Sequence, residues 1–183
     1  MTDIAPALDE LRRAIESVDP AAKSAFIDRI VAARGHHLMG YGCGREAIQL
    51  RGFIMRLHHL GLNVSMQGDM TALPLGPEDL LLVTAGPGDL STVRALMEQA
   101  RNAGADRLLI TAVGDAPLAD HATQTLVLPT TTMANDQTLQ PVLPMGSLFE
   151  GALFLLFELM VLELRECLGE TAETMRARHT NME

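Results

Sequence analysis

The run Asp79 to Thr84 (DLLLVT) sets four large aliphatic residues in a row, Leu80 to Val83, inside a segment of strand length. Neighbouring side chains of a strand point to opposite faces, so this run needs apolar cover on both sides. Central strands of parallel sheets, held between helical layers, have this character. The rest of the chain keeps the alternation. His37 to Tyr41 reads as a short strand, Gly42-Cys43-Gly44-Arg45 as a glycine turn, and Glu46 to Leu60 as a helix ended by Gly61. Leu62 to Met66 is a second strand, and Gly68 to Glu78, with two prolines, is a loop. After DLLLVT, the turn Gly86-Pro87-Gly88-Asp89 leads into a helix from about Leu90 to Ala103, with Asp89 as its N-cap. Arg107 to Thr111 and Thr125 to Leu128 complete five strands, with a helical turn, Ala116 to His121, between them. Strands alternating with helices predict an α/β sandwich with a parallel sheet and right-handed crossovers.

Two helices precede the first strand. Ile4, Leu8, Leu11 and Ile15 recur at helical spacing, and Asp19-Pro20 opens a second helix that carries Phe26, Ile27, Ile30 and Val31. Placed ahead of the sheet, they form an N-terminal arm (residues 1–34) suited to wrapping a neighbouring subunit. At the other end, Pro144 to Leu168 forms a long helix, followed by a polar tail to residue 183. From Gly151 to Phe157 this helix has no polar residue, so it is expected to be covered on both flanks inside a homodimer or homotetramer. Glu150, Glu158 and Glu163 cut the apolar run short of the roughly 20 residues that would span a membrane. Glu150 stands at the first turn, just before the most apolar part. It is either a solvated acid favoured by the helix dipole or a carboxylate in a pocket with a raised pKa.

Composition narrows the function. A net charge of −9 with no basic run argues against a nucleic-acid surface, and the absence of Trp with a single Tyr removes stacking platforms. Cys43 and Cys167 have no metal or redox spacing, so neither a metal nor a cofactor is expected. Two lone thiols and no secretory leader point to the cytoplasm. No linker, charge block or repeat divides the 183 residues, which read as one domain.

Both glycine turns follow a strand and open a helix. In a parallel sheet they lie at the carboxyl edge, where free helix N–H groups can meet an anion. Strand-to-helix turns need glycine in any case. The GxGxG spacing after the first strand is not a dinucleotide fingerprint, and no acid at the end of the second strand is placed to hold a ribose.

Gly42, Gly44 and Arg45, followed by Met55-Arg56-Leu57-His58-His59-Leu60-Gly61, resemble the opening of the sugar isomerase (SIS) domain of 6-phospho-3-hexuloisomerases. Pro144-Met145-Gly146-Ser147-Leu148-Phe149-Glu150 and the terminal Arg178-His179-Thr180-Asn181-Met182-Glu183 resemble two further blocks of that family. The resemblance implies a three-layer αβα sandwich with a five-stranded parallel sheet (flavodoxin-like), usually a tetramer. It also implies isomerisation of a phosphorylated ketohexose through an enediol. By position Glu150 matches the family's catalytic carboxylate, and His59 and His179 match histidines that assist ring opening or polarise the carbonyl. On the residues alone, His59 reads as a helix C-terminal cap and His179 as a frayed terminal residue. Gly42, Gly44, Arg45, Glu46, Arg51, Gly86, Gly88 and Asp89 form the expected substrate-binding set.

The chain departs from the family at both turns. Glu46 stands where the family has Ser, and Ala85, Pro87 and Leu90 replace Ser, Ser and Thr of a hydroxyl-rich phosphate cradle. A carboxylate at position 46 is expected to reach the anion site itself, unless Arg45 pairs with it. The function expected is therefore a sugar or sugar-phosphate isomerase, or alternatively a non-catalytic SIS module that binds a sugar or regulates.

Overall fold

The computed structural model describes residues 3–182; of the terminal block, Glu183 lies outside the described residues. Five parallel strands, β1 (His37–Tyr41), β2 (Asn63–Met66), β3 (Leu80–Thr84), β4 (Asp106–Thr111) and β5 (Gln124–Val127), form a single sheet in the order β2-β1-β3-β4-β5. All four pairings are parallel, with Leu38 to Tyr41 of β1 beside Leu80 to Val83 of β3. The chain order reverses between β1 and β3, and a crevice forms outside the carboxyl ends of the strands at such a switch point.

Helices α1 (Ala5–Glu16), α2 (Pro20–Ala32), α3 (Gly44–His59) and α6 (Ser147–Leu168) share one side of the sheet, and α4 (Ser91–Asn102) with a 3-10 turn (Pro117–His121) covers the other. On the first side Leu80, Leu82, Leu108, Ile110 and Leu126 meet Phe26, Ile30, Phe53 and the inner stripe of α6. On the second, Leu81, Val83 and Leu109 meet Val93, Met97 and Leu118. The DLLLVT run is thus covered on both faces, because alternate residues of β3 feed the two cores.

Several boundaries and contacts differ from the sequence reading. The loop from Thr130 to Leu143 contains a short helix, α5 (Asp136–Leu139), and the polar tail contains α7 (Ala172–Ala177), started by a capping box between Thr171 and Thr174. Neither has an apolar stripe long enough to register as periodicity. Within one protomer α2 rests on α6 and β5 and α1 on α6, with Phe26 and Ile30 fully buried, which leaves the expected contact of this arm with a neighbouring subunit open. Asp89 is not the N-cap of α4. Leu90 holds that position without a side-chain cap, and the Asp89 carboxylate accepts from Arg94 at 2.6 Å.

The long helix buries Leu148, Phe149, Ala152, Leu153, Leu156, Phe157, Met160, Val161 and Leu164, the 3-4 spacing of one helical face. Its Phe157 ring stacks on Phe53 of α3 with centroids 4.3 Å apart. The opposite stripe is not covered within the protomer: Phe154 is 55% and Leu162 51% exposed, and Leu159 is exposed between them. Among the described residues no helix is long and apolar enough to cross a membrane.

Candidate active site

Three chain segments converge at the carboxyl edge between β1 and β3. They are the first turn of α3, the turn after β3, and the first turn of α6. Together with Thr132 and Met133 of the loop after β5, they line a cavity of about 340 Å³ that includes Arg45, Glu46, Pro87, Phe149 and Glu150. Close backbone approach makes it possible. A side chain at Gly42 would put its Cβ 2.5 Å from Thr84 Oγ1, so β1 can turn into α3 against the end of β3 only with glycine there. At Gly86 a Cβ would lie 2.8 Å from the Phe149 ring and 2.9 Å from Glu46 Oε1.

Glu46 reaches across the crevice. Both of its carboxylate oxygens accept from the Gly86 N–H, at 3.2 and 3.1 Å. Burial pushes its pKa up; the Gly86 N–H and the Thr84 hydroxyl oppose that, and the charge of Glu150 adds to it. Glu150 has a side chain only 14% exposed and pairs with Arg45, Nε to Oε2 3.0 Å. Burial raises its pKa too, and the Arg45 guanidinium partly opposes the rise. Arg45 therefore pairs with Glu150 and not with its neighbour Glu46. It also donates to Ser147 Oγ at 3.3 Å and to the Met145 carbonyl, clamping the start of α6 to the start of α3. The result is two carboxylates of raised pKa beside one cation, each holding its proton more firmly than a free carboxylate does.

The other expected residues divide between the turns of the cavity and places remote from it. Gly42 and Gly44 shape the first turn and Gly88 the second, where it turns at φ +87°. Arg51 is exposed on α3 and faces Asp69 at 3.8 Å, away from the cavity. His59 and His179 sit at the far end of α3, about 20 Å along its axis from Glu46. There they stack with ring centroids 5.3 Å apart and line a second cavity of about 380 Å³ with Arg56, Arg165 and Arg176. Burial, then the charges of His179, Arg56 and His58, lowers the His59 pKa, which works against the imidazolium cap read from its position at the helix end. Within one chain the two histidines do not join Glu150. Phe149, Thr84 and Thr132 were missed as site residues. The position of Thr84 at the carboxyl end of the most buried strand was the available signal; Thr132 offered none. Among the described residues no three His, Cys, Asp or Glu side chains gather to hold a metal ion.

The parallel sheet has the flavodoxin-like order, with a carboxylate-lined crevice at its switch point, and similarity to known proteins places the chain in the sugar isomerase domain class. The chain is 34% identical to 3-hexulose-6-phosphate isomerase of Mycobacterium gastri over 175 residues, covering 96% of this chain and 87% of that protein. It is 34% identical to the enzyme of the same name from Methylomonas aminofaciens, covering 84% of each. The crystal structure of a hypothetical protein of Methanococcus jannaschii, for which a molecular function of 3-hexulose-6-phosphate isomerase was inferred, superposes with a TM-score of 0.82 at 25% identity, covering 97% of this chain and 99% of that one. No family model matches the chain. On the strength of these relatives, the chain belongs to the 3-hexulose-6-phosphate isomerase family.

Proposed function

We propose that the protein is a keto-sugar isomerase of the 6-phospho-3-hexuloisomerase type and that Glu150 is its proton carrier. The observation that carries this reading is the position of Glu150, a largely buried carboxylate of raised pKa opening into the switch-point cavity. In the proposed step, Glu150 takes the proton from the carbon beside the carbonyl. The C–H electron pair becomes the C=C bond of an enediol as the carbonyl π pair moves to its oxygen, which takes a proton from water; Glu150 then returns its proton to the former carbonyl carbon while the adjoining hydroxyl gives its proton to water and becomes the new carbonyl. Arg45 holds Glu150 in place and favours its charged form before the transfer. His59 and His179 enter this reading only across a boundary between copies, since their end of α3 is remote from Glu150. The stripe of Phe154, Leu159 and Leu162 supports an assembly of copies, because water-exposed apolar surface of this kind favours association.

Incubation with ketohexoses, phosphorylated and not, in deuterated water tests the chemistry. The wild type exchanges hydrogen beside the carbonyl, and Glu150→Gln lowers the rate by roughly 10²- to 10⁴-fold, the usual contribution of a general base. An unaffected variant rejects the assignment. The Glu46 contact with Gly86 favours a second reading, a sugar-binding module without turnover. It predicts ligand-induced thermal stabilisation with no exchange for any sugar.

A further inference from the structure

The turn after β3 ends a buried strand and opens a helix, and its backbone N–H groups, facing those at the start of α3, are one of the two anion-binding features of the cavity. Their occupancy can be followed residue by residue. The Gly86 N–H is engaged by Glu46, at 3.1 and 3.2 Å. Pro87 has no N–H. The Gly88 N–H closes the turn on the Ala85 carbonyl at 2.9 Å. No amide from Gly86 to Gly88 is left for an external anion. Nor is the guanidinium of the cavity open: Arg45 is engaged by Glu150 and by the Met145–Ser147 turn. Asp89, the acid of the same turn, is neutralised by Arg94 outside the cavity. With all three ionised, Arg45, Glu46 and Glu150 sum to one negative charge, and a phosphate would add up to two more in a half-buried space.

From this geometry we infer that Glu46 occupies the anion position of the site with the chain's own carboxylate, so that the sugar taken here presents a hydroxyl or ammonium group, and not a phosphate, to the Gly86 turn. The inference deepens the isomerase reading by naming its substrate class and rests on that reading for the chemistry; the occupied amides stand without it. Glu46 determines specificity by occupying space and by charge. The carboxylate fills the amide as an acceptor, and its outer lone pairs offer a partner to an O–H or N–H donor of the sugar. A donor-bearing end gains a hydrogen bond where a phosphate would meet repulsion.

Calorimetric titration with inorganic phosphate and with fructose 6-phosphate, on the wild type, Glu46→Ser and Glu46→Gln, tests it. Glu46→Ser vacates the amide and removes the charge, and its phosphate affinity rises by at least roughly tenfold, the effect of about 1.4 kcal/mol of relieved repulsion. Glu46→Gln keeps the side-chain shape and gains less, and it serves as the test if the serine variant does not fold. Phosphate affinity unchanged in the folded variants overturns the inference. Exchange in deuterated water gives the second arm. The wild type exchanges fructose or an amino sugar at least as fast as fructose 6-phosphate, and a clear preference for the phosphorylated sugar overturns the inference. Absence of exchange with every sugar would instead reject the isomerase reading, and the titrations would still decide whether Glu46 excludes phosphate.

Discussion

Gly86→Ala probes the junction on which the site depends. The added methyl would sit 2.8 Å from Phe149 Cδ1 and Cε1 and 2.9 Å from Glu46 Oε1, all closer than atoms can stand without movement. Phe149 is 1% exposed on the first turn of α6, where it is held in the core. Glu46 presents the far end of a flexible side chain, so it is the group that yields, and in yielding it releases the Gly86 N–H. Residual overpacking against Phe149 destabilises by about 1–3 kcal/mol. Loss of a hydrogen bond to a charged acceptor destabilises by roughly 1.5–3 kcal/mol, offset in part as the carboxylate regains water. We expect a net loss of about 1–3 kcal/mol, and at about 2–4 °C per kcal/mol for a chain of this size the melting temperature falls by roughly 2–12 °C. Scanning calorimetry at neutral pH measures it. Pairing the change with Glu46→Ser closes a double-mutant cycle. Because the two sites touch, their effects fall short of additive by about 0.5–3 kcal/mol. A melting temperature unmoved by Gly86→Ala, or strict additivity, would refute the contact.

The remaining predictions concern charge, core and assembly. The folded-state pKa of Glu46 is raised above its usual 4.5, so the folded protein holds this proton more tightly than the unfolded chain, and stability is lost as pH rises through that window. Glu150, the facing acid whose partner is Arg45, acts in the same direction, so Glu46→Gln should raise the melting temperature most at neutral pH and show little difference below about 4.5. A pH-independent difference would contradict the burial of the charge. Phe157→Ala removes a ring 2% exposed and stacked on Phe53, and equilibrium denaturation should report a loss of about 3–5 kcal/mol. Phe154→Asp with Leu162→Asp, both on the exposed stripe of α6, should lower the mass measured by light scattering while leaving the far-ultraviolet spectrum unchanged. An identical mass would place any assembly elsewhere.

Local pattern is enough to specify the layered architecture. Period-2 and unbroken apolar runs can be read locally, and glycines at Gly42 and Gly86 mark where backbones must approach closely. The five strands and most of the main helices follow from those signals within a residue or two; α6, expected from Pro144, starts three residues later at Ser147, after Gly146 in the left-handed conformation, and Glu150 in its first turn follows from the block around it. Short helices such as Asp136–Leu139 and Ala172–Ala177 do not, because one turn of helix has no period. The pairing of charges was set by how the elements pack. Arg45 could meet Glu46 beside it or Glu150, 105 residues away, and the crossing of α3 with α6 chose Glu150. The same packing sent Glu46 to an amide 40 residues away and kept His59 and His179 at the opposite end of α3. Charged side chains find partners through space at a few ångströms, and chain order does not encode which turn will be within that reach.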